Sequence, residues 1–166
     1  MKTIIKEIKV YSFDELSEDS QAIAINNLRD INVDHEWWED IYEDAKEIGL
    51  KITGFDLDRN KHADGELLLY CAEVCQNIFN NHGEDTSTNK TAFAFMEEWQ
   101  PVFCNYMETE EGENELQELE EEFTKNLLED YASILQAEYE YLSSDEAVIQ
   151  SIKSNEYEFT ENGKIY

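Results

Sequence analysis

The residues with the clearest chemical potential are carboxylates crowded into one segment. Residues 108–122 hold nine acids in fifteen positions, and only Lys125 lies near enough to offset them. Because cationic partners at helical spacing are scarce, the run repels itself, which favours a role for the charge beyond solubility. The acids that we expect to bind a partner are Glu108, Glu110, Glu111, Glu113, Glu115, Glu118, Glu121 and Glu122, and the run also includes Glu120.

The density of this charge approaches that of a nucleic acid. Residues 113–122 carry six acids, which on a helix is one charge per roughly 2.5 Å of axis. Duplex DNA carries one per about 1.7 Å. The run therefore predicts a surface that imitates a phosphate backbone and binds a basic cleft. The alternative is the solvated side of an ordinary amphipathic helix, because Leu116, Leu119 and Phe123 give it an apolar side.

A second cluster of oxygen ligands follows a predicted strand. Its spacing matches four positions of a calcium loop and gives the candidate metal ligands Asp56, Asp58, Asn60 and Asp64. Lys61 stands where that loop needs glycine, and Leu67 where it needs a bidentate glutamate. We therefore expect no metal and no cofactor, with a metal-dependent enzyme as a remote alternative.

Other catalytic arrangements are missing from the sequence. It has no glycine-rich phosphate loop, no Gly-x-Ser-x-Gly and no His-Glu-x-x-His, and its three histidines are isolated. Cys71 and Cys75 share a helical face, but a zinc site needs four ligands, so packing is the better interpretation. We predict that the protein is not an enzyme.

Composition excludes several classes of partner. The 166 residues include 40 acids and 12 bases, a net charge of −28, which excludes direct nucleic-acid binding and docking on an anionic membrane. The three cysteines form no disulfide framework, and neither an apolar leader nor a run of 18 apolar residues occurs. We expect a reduced, soluble, cytoplasmic protein.

Aromatic residues offer a different mode of recognition. Trp38 lies about 100° from the helical stripe that Trp37 begins, so it is either packed in a two-sided core or exposed as an interface anchor. Tyr139 and Tyr141 on the long helix have the same ambiguity. The two-sided aromatic pattern of that helix also permits a homodimer.

The first half of the chain alternates predicted strands and helices. We expect a strand over 4–13, a helix from an N-cap at Ser17 to about Arg29, and a second helix that Asp34 caps. Trp37 begins the inner face of that second helix, and Gly49 ends it. A strand then covers 50–57 with a bulge at Gly54, and a polar loop covers 56–64.

Helical patterns dominate the second half. Segment 66–70 reads as a short strand or the lead-in to a helix over 71–79, and a loop over 83–90 follows. Pro101 should end or kink a helix over 91–99 near Gln100. The longest helix spans about 113–142, and a shorter one follows Ser144. Asn162-Gly163 predicts a C-terminal hairpin with a two-residue type I′ turn.

These elements predict a single acidic α+β domain over 1–166. Its small antiparallel sheet combines the N-terminal strand, the 50–57 strand and the C-terminal hairpin, and several helices pack on it. Its subdivisions are a mixed part over 1–83, a helical acidic part over 84–154 and the hairpin over 155–166. Elongated helical packing without a proper sheet is the alternative.

Three stretches carry a resemblance to a known group of proteins. Residues 11–30, Trp37-Trp38 through Gly49 with 54–59, and the ending 157–164 resemble a family of small acidic proteins encoded by phages and prophages, some with antitoxin-like names. The resemblance implies a mobile-element protein in a bacterial host cytoplasm, and it carries over no functional residue.

Together these observations predict a phage-type, anti-CRISPR-like inhibitor. Its partner would be a basic protein surface, on a host nuclease or another nucleic-acid-binding protein, reached through the acidic run. The alternative is an antitoxin or interaction module that recognises its partner by shape through aromatic anchors.

Overall fold

A computed structural model describes residues 7–106 and 109–166 and confirms the α+β class and the long helix. In this part of the chain a 3-10 turn, Phe13–Glu15, precedes the first helix. The strands are β1 (Leu50–Asp56) and β2 (His62–Leu67). The helices are α1 (Glu18–Asn27), α2 (Glu39–Ile48), α3 (Cys71–Asn81), α4 (Ser87–Tyr106), α5 (Glu110–Leu142) and α6 (Asp145–Ser154). Every helix that the structure describes is too short or too polar to cross a bilayer.

Helix ends fall where capping chemistry puts them. The Ser17 and Ser144 hydroxyls each accept a hydrogen bond, at 3.3 Å, from the backbone N–H three residues later. Gly49 ends α2 in the left-handed region, with φ of 96°, a conformation that glycine adopts without steric cost. These three predictions from local sequence are confirmed.

The start of α2 differs from the prediction. Asp34 does not cap it and Trp37 is not part of it, because the helix begins at Glu39 with Trp38 at the N-cap. The backbone N–H of Trp37 donates to the His35 carbonyl at 2.8 Å. This three-residue turn takes the segment out of the helical path.

The sheet pairs β1 with β2, whose first residues, 62–64, were predicted as loop and whose last two, 66–67, fall in the segment predicted as a short strand or helix lead-in. β1 runs antiparallel to β2, from Leu50 opposite Leu67, with the expected bulge between Ile52 and Gly54. The first part of β2 gave no strand signal because its inward-facing side is made of small residues such as Ala63 and is flanked by exposed acids.

The sheet that the described residues form contains β1 and β2 alone. Among the described residues, Tyr11 pairs with Phe159 and Phe159 with Ile165 as isolated bridges. Residues 7–10 have no regular structure, and the rest of the predicted first strand, 4–6, lies outside the described residues. The prediction of one sheet that combines β1 with the N-terminal strand and the C-terminal hairpin is therefore wrong. The described terminal residues pair with each other in a separate small ladder.

Pro101 neither ends nor interrupts the helix that contains it. α4 extends beyond the predicted range at both ends and includes Pro101. The rings of Trp99 and Phe103, one helical turn apart on either side of the proline in sequence, stack with centroids 4.4 Å apart, and Val102 is buried. Aromatic packing therefore offsets the hydrogen bond that proline cannot make.

The C-terminal turn is longer than predicted. The Thr160 N–H donates to the Lys164 carbonyl at 2.8 Å, which encloses a three-residue loop. Gly163 has φ of 75°, while Asn162 has a negative φ, so a type I′ turn is excluded. A Cβ on Gly163 would collide with the Ser20 carbonyl, so contact with α1 selects this turn.

The chain divides into two compact units, Met1–Trp37 with Glu138–Tyr166, and Trp38–Ala137. The described core of the first contains Phe13, Val148, Ile152 and Phe159. The core of the second lies between α2, β1, α3, α4 and α5 and is rich in fully buried aliphatic residues. The single-domain assignment stays a prediction.

Close approach of strands makes Gly65 a sensitive position. A Cβ at Gly65 would collide with the Lys51 carbonyl oxygen across the β1–β2 pair and lie 3.0 Å from Leu128 Cδ2. We expect Gly65→Ala to lower the free energy of unfolding by about 1–3 kcal/mol, as overpacking does. Urea unfolding measures it.

Gly54→Ala is the matched control in the same hairpin. Its Cβ would meet no atom within 4 Å, so we expect a change within about 0.5 kcal/mol. Equal destabilisation by the two variants would contradict the close strand contact.

Candidate functional site

The acidic residues of α5 that were predicted to bind a partner face solvent. All the predicted partner-binding acids that the structure describes on this helix are exposed, namely Glu110, Glu111, Glu113, Glu115, Glu118, Glu121 and Glu122. Glu108 lies outside the described residues. The exposed carboxylates are distributed over roughly 18 Å of helix axis.

Four of these acids form one row. At about 100° per residue, they fall within a sector of roughly 60°. We call this row the acidic stripe, and it consists of Glu111, Glu115, Glu118 and Glu122. Glu113 falls on the far side of the helix, and Glu110 and Glu121 lie beside the stripe. The structure therefore brings part of the predicted set together and separates the rest.

No cation pairs with the acidic stripe in the part of the chain that the structure describes. The nearby Lys125 pairs instead with Glu129, Nζ to Oε1 at 3.8 Å. Within the described ranges no ion pair includes a carboxylate of the stripe. Its charge therefore remains uncompensated at the surface.

Glu120 behaves differently from its neighbours. It is half-buried, and its Oε1 accepts a hydrogen bond from Trp99 Nε1 at 3.3 Å. This carboxylate anchors α4 to α5 and does not belong to the stripe.

An exposed apolar segment beside α5 was missed by the sequence analysis. Between β2 and α3, the exposed fractions of Leu68, Leu69 and Tyr70 are 50%, 43% and 84%. Together with Gln117, Glu120, Glu121 and Thr124, residues of this segment line a groove of about 410 Å³. The signal available in the sequence was the run 67–70, in which four apolar residues follow one another without an intervening polar residue.

The predicted aromatic anchors are only partly exposed. Trp38 is half-buried and packs edge-to-face on Phe55, with ring centroids 5.4 Å apart. Tyr139 is 37% exposed and its ring lies 5.8 Å from that of Trp37, while Tyr141 is 54% exposed. The exposed surface at these positions is therefore largest on Tyr141.

The candidate metal ligands lie in and around the β1–β2 turn. Asp56 Oδ1 accepts a hydrogen bond from the backbone of Asp58 at 2.8 Å, and the Asn60 carbonyl contacts His62 Nδ1 at 2.6 Å. Asp64 sits within β2 rather than in a loop. Over 7–106 and 109–166 no three acidic, histidine or cysteine side chains converge as a metal site would require.

Two of the three thiols are held in the core. Burial raises the pKa of Cys71 and of Cys75 to about 12, and the charge of Glu120 adds to the effect on Cys71. Cys104 is exposed. The prediction that Cys71 and Cys75 pack as buried side chains is confirmed.

A polar network connects α2, the end of α3, α4 and α5, and it is largely buried except at Asp44, which is exposed. Tyr131 donates its hydroxyl to Asp44 Oδ2 at 2.7 Å, and burial together with this bond raises the Tyr131 pKa. His82 places Nε2 3.4 Å from Asp44 Oδ1 and Nδ1 2.7 Å from Thr88 Oγ1. The order of acid, imidazole and hydroxyl resembles a nucleophile relay, but Thr88 is only 1% exposed, so no substrate reaches it.

Comparison of the chain with protein-family models, curated proteins and solved structures finds no match. The resemblance to small acidic phage proteins stays a prediction.

The thiols give a test of this packing. In the native protein at about pH 8 we expect iodoacetamide to modify Cys104 and to spare Cys71 and Cys75. A pKa of about 12 leaves roughly one thiolate in 10⁴ at that pH, and the thiolate is the nucleophile.

Mass spectrometry of the labelled peptides reads the result. In urea all three cysteines should react, which serves as the control. Native labelling of Cys71 as fast as Cys104 would contradict its burial.

Proposed function

We propose that the protein is a phage-type inhibitor of a host defence or nucleic-acid-handling protein, in the manner of an anti-CRISPR protein. It binds a basic cleft through the acidic stripe and the exposed acids beside it. The observation that carries the proposal is a row of exposed, uncompensated carboxylates on a helix whose other side is buried.

The spacing of the stripe supports competition with a nucleic acid. Successive stripe residues rise by roughly 4.5–6 Å along the axis, against 3.4 Å per phosphate on one DNA strand. Exposed Glu110, Glu113 and Glu121 raise the density further. Lysines and arginines arranged for phosphates therefore meet carboxylates at comparable intervals.

Long-range attraction would set the rate of association. With a net charge of −28, the protein accelerates its encounter with a cationic partner, and added salt slows that encounter steeply. The inhibitor acts by occupying the cleft, and it needs no catalytic group.

The stripe is tested by removing charge without changing shape. We expect the quadruple variant Glu111→Gln, Glu115→Gln, Glu118→Gln and Glu122→Gln to bind the partner between about fourfold and nearly a thousandfold more weakly. That range corresponds to about 0.2–1 kcal/mol for each exposed pair. The partner is captured from bacterial lysate at low salt, eluted with duplex DNA, identified, and titrated with both proteins.

A matched variant removes the same charge elsewhere in the same unit. Its substitutions are Glu43→Gln, Glu47→Gln, Glu84→Gln and Glu97→Gln, all at exposed positions. We expect this control to retain most of the affinity. Equal affinity of the stripe variant and the control, or a captured partner that DNA does not displace, would remove the proposal.

A second candidate function is an antitoxin or interaction module that recognises its partner by shape. The observation that favours it is the exposure of Tyr139 and Tyr141 at the end of α5. Aromatic side chains of this kind are common anchors in protein interfaces.

Under this second function, Tyr141→Ala should weaken the complex by about 2 kcal/mol or more, roughly thirtyfold. Tyr166→Ala is the control of the same residue type, since Tyr166 is 67% exposed at the C-terminus. Calorimetric titration with the captured partner distinguishes the two functions. Under the second function, removing charge from the acidic stripe would have little effect on the affinity.

A further inference from the structure

The groove beside α5 has one apolar wall and one acidic wall. Leu67, Leu69, Tyr70 and Cys71 form the first, and Gln117, Glu120, Glu121 and Thr124 form the second. Its volume of about 410 Å³ falls within the range of sites that accept a small ligand or a few side chains. The two walls offer different chemistry to the same occupant.

The apolar wall presents a ring that little else in its unit covers. Tyr70 is 84% exposed although it precedes α3 directly, and its backbone N–H donates to Glu73 Oε2 at 3.3 Å. Leu69 covers Gly49, so the segment that carries the ring is held in place. The ring is therefore presented from an ordered support.

The acidic wall offers carboxylates at two depths. Glu120 is half-buried with one oxygen bonded to Trp99 Nε1, and Glu121 is exposed and accepts a bond from Gln117 Nε2 at 2.8 Å. Each carboxylate has further acceptor capacity. Because these oxygens lie beside an apolar wall, the groove favours a cationic group that has an apolar group next to it.

We propose that this groove receives an arginine flanked by an aliphatic residue from the basic partner, an inference that rests on the proposed function. A guanidinium stacks on an aromatic ring and donates in a planar fork to carboxylates, while its neighbour covers the exposed leucines. Lysine matches the charge but not the stacking. A second copy of this chain is the poorer occupant, because it brings 40 acids and only 12 bases.

Two labelled peptides of equal length and charge test the groove, one alternating arginine with leucine and the other lysine with serine. We expect the wild-type protein to bind the first about tenfold more tightly by fluorescence anisotropy at about 0.5 M salt, where screening suppresses long-range attraction. Tyr70→Ala and Glu121→Gln should each abolish most of that preference, and Tyr70→Phe should retain it.

Glu118→Gln is the matched control for charge. It removes the same charge from an exposed stripe residue that does not line the groove. We expect it to weaken both peptides equally at low salt and to leave the preference intact. A preference that survives Tyr70→Ala, or equal binding of an uncharged leucine–serine peptide, would overturn the inference.

Two further outcomes are decisive. Self-association that Tyr70→Ala abolishes, measured by sedimentation, would assign the groove to a second copy and overturn the inference. If only the inference about the groove is wrong, the quadruple stripe variant will still bind the DNA-displaced partner more weakly than the wild-type protein does. If the proposed function is wrong, the stripe variant and the wild-type protein will bind that partner equally.

Discussion

Burial of one side of α5 is the interaction on which the rest of the second unit depends. Phe123, Leu127 and Tyr131 are almost entirely inaccessible to solvent, and each such side chain contributes about 1.5–3 kcal/mol. Repulsion between like charges four residues apart costs only a few tenths of a kcal/mol per pair. Packing therefore outweighs repulsion, and the helix remains stable although the carboxylates of the acidic stripe are paired with no described cation.

A charged row on a packed helix differs physically from a charged tail. The side chains retain rotamer freedom, but the backbone that spaces them is already ordered, so binding need not fix it. Tyr131 links this helix to Asp44 on α2 through a short hydrogen bond. Since the same helix also forms the acidic wall of the groove, one packed element sets the geometry of both surfaces.

Local signals in the sequence predicted what local physics decides. Ser17 as a cap, Gly49 as a helix end and the extent of α5 follow from hydrogen bonds or periodicity within a few residues. The first part of β2 was not predicted as a strand, because Ala63 and Gly65 are inward-facing through a tight strand contact and carry little hydrophobic signal. The acidic run was predicted as a binding surface from its composition alone. Tyr70 was not predicted, because its exposure beside α5 is a result of tertiary packing.

Charge alone does not separate one basic partner from another. With 40 acids in 166 residues, any cationic surface is attracted, and at physiological salt the attraction decays over about 8 Å. Discrimination therefore has to arise from groups in contact, where a wrong side chain leaves a carboxylate unpaired or an apolar wall uncovered. Under the proposed function, the stripe would set the rate of encounter with a basic partner, and the groove, with one apolar and one acidic wall, would supply the discrimination at contact.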